Sequence, residues 1–208
     1  MVAGQNTVNE YAVQLSRKIW ITRGSRFNGA QRLQNKNRFS TNSISILSIY
    51  GIAISLLQLN SKILRCVSVN ETYTFIAIIL SVFTLVLSLL EGYQDYQSRA
   101  QRLYQNAVSL SKLLSELDYA KSFHTSPTDF VKTLKLISDE YEQLVRDCPE
   151  NHSTKDFELF QVQNSKEFKI ARFMRWTIRV KLLFLDYWTY IFSILSLPVL
   201  IGFLFIQC

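Results

Sequence analysis

The sequence has little of what most catalytic and secreted scaffolds require. Its three cysteines are too few and too scattered for a disulfide framework. Together with the two histidines, His124 and His152, they form no CxxC, HExxH or other spacing that would build a metal site. Six glycines and three prolines argue against a collagenous or turn-rich all-β chain. No GxGxxG, Walker A loop or GxSxG elbow occurs, so neither enzymatic activity nor a cofactor is expected. Charge is also absent from three long stretches, Phe39–Ser61, Thr72–Leu90 and Tyr187–Cys208, of 23, 19 and 22 residues. Each reaches the roughly 20 residues that cross a bilayer as a helix. What is present agrees with this. The 208 residues are 48% apolar and 13% aromatic with a net charge of +7, too apolar for a disordered chain, and no alternating strand pattern of useful length appears. The expected fold is an all-α membrane protein: a transmembrane helical hairpin and a third C-terminal transmembrane helix, with a cytoplasmic helical bundle extending from the second span.

The second stretch holds twelve Ile, Leu, Val or Phe residues, worth several kcal/mol toward insertion at about −0.3 to −0.6 kcal/mol each. The first, about Thr41–Leu59, has nine, diluted by Ser43, Ser45, Ser48, Ser55 and Gln58. Asn60–Glu71 is long enough only to turn a hairpin. The third, Tyr187–Ile206, again has twelve, with a kink expected at Pro198. Seven basic residues from Arg17 to Arg38 precede the first stretch, against Lys62 and Arg65 in the turn, which places the N-terminus and the Glu91–Lys181 stretch in the cytoplasm and Cys208 outside. The expected divisions are 1–40, cytoplasmic and basic; 41–90, the hairpin; 91–165, a helical, coiled-coil-like region; 166–186, a basic juxtamembrane helix; and 187–208, the C-terminal span. In the juxtamembrane helix Lys169, Arg172, Arg175 and Arg179 recur at spacings of three or four, suited to an anionic membrane surface or to a solvated face of a packed helix.

Past the second span the apolar rhythm continues. Tyr93, Tyr96, Ala100, Leu103, Ala107, Leu110, Leu114 and Leu117 alternate spacings of three and four, predicting one helix from about Thr72 to Tyr119 with a coiled-coil seam. Phe130, Leu134, Ile137, Tyr141, Leu144 and Cys148 repeat the pattern after Ser126-Pro127, and Val8, Tyr11, Leu15 and Ile19 offer a third helix for a bundle. Within the spans a different stripe runs on the far side from the bulky residues. Thr74, Ala77, Ser81, Thr84 and Ser88 in the second are matched by Ser45, Ser48, Gly51 and Ser55 in the first. Small hydroxyl-bearing stripes let helices approach closely or, in an oligomer, line a water-filled path. No ionisable group lies among them, which argues against a proton-coupled transporter. At Pro149–Asp156, Ser153 and Asp156 are spaced as a helix capping box, while Asn151, His152 and Asp156 are candidates for touching a ligand or partner.

A family resemblance rests on three places in order along the chain, from about Asn9 to Phe160. They are Arg26-Phe27-Asn28-Gly29-Ala30-Gln31-Arg32-Leu33 before the serine-rich first span, Tyr96 with Arg99-Ala100 after the second, and Tyr141 with Leu144 followed by Pro149-Glu150-Asn151-His152 and Asp156-Phe157. Arranged around a hairpin, these residues resemble the SLATT family, two-transmembrane effectors associated with SMODS nucleotidyltransferases and SLOG sensors in bacterial defence. The resemblance implies an inner-membrane effector that forms pores or disrupts the bilayer when a sensor fires. That sensor would be a nucleotidyltransferase, a SLOG protein or, in a retron-like branch, a reverse transcriptase with its nucleic acid. The expected partners are therefore the lipid bilayer, further copies of the chain and such a sensor, with no direct nucleic-acid binding. A membrane-anchored scaffold recruiting a partner through its coiled-coil helices is the alternative, and leakage on expression separates the two.

Overall fold

The computed structural model describes residues 2–59, 67–123 and 126–207. Its regular structure is helical, with no strand among the described residues: α1 (Val2–Leu59), α2 (Val67–Tyr93), α3 (Tyr96–Phe123), α4 (Pro127–Arg146), α5 (Thr154–Gln163) and α6 (Arg172–Gln207). Much of the expected Asn60–Glu71 turn, with Lys62 and Arg65, lies outside the described residues, as do His124 and Cys208. The chain divides into two compact units, Met1–Gln34 with Gln97–Val180 and Asn35–Tyr96 with Lys181–Cys208.

In the first unit the apolar stripe of α1, Ala12, Leu15 and Ile19, meets Leu110, Leu113, Leu114 and Leu117 of α3 and Phe130, Leu134, Ile137 and Tyr141 of α4. Each fully buried Leu, Ile or Phe contributes roughly 1.5–3 kcal/mol relative to exposure. Local chemistry sets the helix starts. Ser126 lies extended before α4, its hydroxyl accepting from the Asp129 N–H at 3.2 Å, with Pro127 in the first turn. Ser153 and Asp156 form the expected capping box of α5. Trp20 of α1 packs edge-on against Phe160 of α5 with ring centroids 4.7 Å apart.

The second unit is built from α1 beyond Asn35, α2 and α6 beyond Lys181. Leu47 and Ile54 of α1 close on Leu80 of α2, with Tyr50, Ile76, Ala77 and Leu87 around them. At one end Phe39 lies 4.4 Å from the Tyr187 ring, Lys36 Nζ is 3.6 Å from Asp186 Oδ1, and the Tyr190 hydroxyl donates to Glu91 Oε2 at 3.0 Å. Ile49, Ile52, Leu56, Phe75, Val82 and Leu89 point outward and are exposed. Among the described residues, two helices are long and apolar enough to cross a membrane. An apolar face of this extent would be costly in water and is favourable in hydrocarbon, so the protein is an all-α membrane protein.

Two expectations are corrected. The single helix from Thr72 to Tyr119 is two helices, broken at Gln94-Asp95, where Asp95 has φ 44°. A short side chain able to bond its own backbone makes Asp one of the few residues at ease in the left-handed region, and the apolar spacing carries no trace of the break. The basic helix expected from Lys166 starts only at Arg172. Residues 164–169 form turns, and Lys169 has φ 52°.

Candidate functional site

Two sites emerge, one in each unit. In the membrane unit a groove of about 600 Å³ runs between α1 and α2, lined on one wall by Ser48, Gly51 and Ser55 and on the other by Ser81, Thr84 and Ser88. Six of the nine stripe residues thus face one space. The remaining walls are Leu and Ile side chains, among them Ile44, Leu47 and Leu80. Close packing of the two helices falls to Leu47, Ile54 and Leu80, while Ser45, Ser48, Ser55, Ser81 and Ser88 are exposed. Gly51 is not demanded by helix approach, because a Cβ there would find Leu80 Cδ2 as its nearest neighbour at 3.9 Å. The Ser45, Ser48, Ser55, Ser81 and Thr84 hydroxyls each donate to the carbonyl four residues earlier, at 2.7–2.9 Å. That satisfies each donor without a partner helix and leaves oxygen lone pairs to accept from water or from another chain. Ser45, Thr74 and Ala77 belong to the same stripe but do not line the groove.

In the other unit a polar network crosses the bundle from one stretch of α1. Arg32 holds Asp156 in a two-pronged pair, Nε to Oδ1 at 2.7 Å and Nη2 to Oδ2 at 3.0 Å. Asp156 is 1% exposed, and its Oδ2 also accepts from the Ser153 N–H and hydroxyl. Asn28 Nδ2 donates to the Asp156 carbonyl at 3.2 Å and to Gln163 Oε1 at 3.1 Å. Gly29 makes room for this pair, since a Cβ there would stand 3.0 Å from Asp156 Oδ2. Arg26, 2% exposed, donates to Asn106 Oδ1 and, at 3.5 Å, to the Leu144 carbonyl in the last turn of α4. The negative end of α4 offsets this buried guanidinium. Burial nevertheless lowers the Arg26 pKa from its ordinary value, against the opposing pull of Cys148 and Tyr141. Arg99 and Arg102 of α3 grip Glu150 at 3.0 and 2.9 Å, and the Arg102 hydrogen bond foremost holds that carboxyl below its usual range.

Of the candidate contact residues, Asp156 is thus committed to the network and Asn151 is exposed. His152 is half-buried beside the network. Its Nδ1 has no hydrogen-bond partner among the described residues, and burial, then Arg26, hold its pKa down despite Asp156. The seam residues Ala100, Leu103, Ala107, Leu110, Leu114 and Leu117 are buried within the single chain, and Tyr96 is half-buried. Among the basic residues Lys169, Arg172 and Arg179 are exposed, whereas Arg175 turns back to Ser165 Oγ at 3.1 Å. From the sequence, Arg26 and Arg32 stand out as positive charge near a span and as part of the segment carrying the family resemblance, not as members of a buried network. The signal for Arg26 was its phase, for Leu15, Ile19, Thr22 and Arg26 continue one apolar rhythm and put a cation on the buried face.

Compared with known proteins, residues 8–204 match the model of the SMODS and SLOG-associating 2TM effector domain, family 5. No curated protein and no solved structure matches the chain.

Proposed function

This chain belongs to the SLATT family, the SMODS and SLOG-associating 2TM effector domains, and from that premise we propose that it permeabilises the bacterial inner membrane when a cytoplasmic sensor is triggered. The coarser statement, a membrane effector of a defence system, follows from membership itself. The finer one is supported chiefly by the hydroxyl-lined groove between α1 and α2. One hairpin offers two walls of a path, and further copies would supply the rest. Back-bonded hydroxyls accept hydrogen bonds from water without any helix having to unwind, while the absence of ionisable side chains in the stripe leaves such a path wide in what it passes. With the N-terminus and the Gln97–Val180 region in the cytoplasm, the unit carrying the polar network is the one a sensor would meet. By the family's association that sensor is a SMODS nucleotidyltransferase or a SLOG protein; a reverse transcriptase with its nucleic acid is a further candidate. α1 contributes to both units, so a trigger that loosens Arg26 and Arg32 from their partners acts on the helix that also carries Ser48, Gly51 and Ser55. The test is membrane potential and dye entry in cells expressing the chain with its genomic neighbours. Depolarisation on triggering is expected. Full potential under triggered conditions would leave the spans as anchors and favour the scaffold.

A further inference from the structure

Apart from the groove and the network, the start of α6 leaves an apolar face of the first unit uncovered beside positive charge that has no ion pair among the described residues. Phe173, Trp176 and Val180 are 77, 64 and 45% exposed. At about 100° per residue they share an arc of roughly 60°, and Arg172 and Arg179 lie together along one edge of it. Neither arginine has an ion pair among the described residues, and no acidic residue occurs from Phe168 to Leu185. Arg175, on the far side of the arginine edge, is already used by Ser165 and so drops out of the basic set. We propose that this face binds anionic phospholipid headgroups at the membrane surface, Arg172 and Arg179 on the phosphates and Trp176, Phe173 and Val180 in the boundary between headgroups and acyl chains.

A lipid surface fits both halves of the pattern. Guanidinium groups favour phosphate, and indole is at home in the interfacial layer. The same helix continues into the charge-free stretch from Tyr187. A nucleic acid would engage the arginines but offers no apolar layer for Val180 and Phe173. The proposal rests on the membrane location alone and holds whether or not the hairpin conducts.

The full chain reconstituted in phosphatidylcholine vesicles with a minor fraction of phosphatidylglycerol provides the test. Bromines are placed on the acyl chains of one lipid or the other at equal total bromine, and the contribution of Trp176 is the difference between wild type and Trp176→Phe, a change at an exposed position. Quenching per mole is expected to be several-fold greater for the anionic bromolipid, since each basic residue at an anionic surface is worth about a fivefold preference. The Arg172→Gln/Arg179→Gln variant should bring the two lipids to parity with helicity unchanged; if that variant fails to insert, the wild-type comparison decides by itself. Equal quenching by both lipids in the wild type would overturn headgroup recognition. An absence of lipid quenching would overturn the proposal altogether, with accessibility to aqueous iodide then meaning that the face meets water, and protection from iodide that it meets protein.

Discussion

Arg32 and Asp156 carry the clearest energetic consequence at the scale of single residues. Asp156 is almost fully buried and Arg32 largely so, so removing one partner leaves the other charged without compensation. Asp156→Ala is expected to destabilise the first unit by about 3–5 kcal/mol, read as a lower midpoint for loss of helicity in detergent. The depressed pKa of His152 gives a pH dependence of definite sign. Its folded value lies below the ordinary 6.5, so the unfolded chain takes up the proton first. The associated stability is complete above 6.5 and declines as pH falls below it. Thermal unfolding followed across that range should fall less steeply for His152→Gln; an identical slope would show that His152 is not the group responsible. Gly24 sets a steric limit, because a Cβ there would overlap the Phe160 ring. Gly24→Ala should cost about 1–3 kcal/mol through displacement of that ring and of Trp20 packed on it, and Trp20 fluorescence should shift with it.

Among the helices, the α3 seam was legible from spacing alone, because period and phase report a buried face whatever covers it. The helices that cover it were legible as well, in the matching rhythms from Phe130 to Leu144 and from Val8 to Ile19. Leu103 and Leu110 are 1 and 0% exposed within one chain, and Leu110 packs with α1 and α4. Leu103→Asp with Leu110→Asp should therefore abolish the helicity of the first unit, since a buried charge without a partner is not tolerated. Folded but dissociated copies would instead place the seam between chains. The break at Asp95 escaped the spacing because Tyr93 and Tyr96 keep the three-residue step across it, although Tyr93 is 88% exposed. In α1 the sequence offered a basic segment and a span as separate pieces. The structure has one helix from Val2 to Leu59, since neither proline nor glycine punctuates it strongly enough to stop it.

At the scale of the whole molecule, the absence of charge over three stretches was sufficient to read a membrane protein, and family membership makes it a membrane effector. The groove was half legible. The stripe shows in the spacing, but the spacing does not separate the close contact made by Leu47, Ile54 and Leu80 from the open hydroxyl walls beside it. The most direct test of those walls as the lining of a path is membrane depolarisation in cells expressing, at matched levels and under the same trigger, the wild type and the Ser81→Leu/Ser88→Leu double variant. Both positions are exposed, so leucine there adds apolar bulk to the groove without overpacking the helix contact. The wild type is expected to depolarise the membrane, and the double variant, inserted to the same extent, is not. Equal depolarisation by both would contradict those walls as the lining.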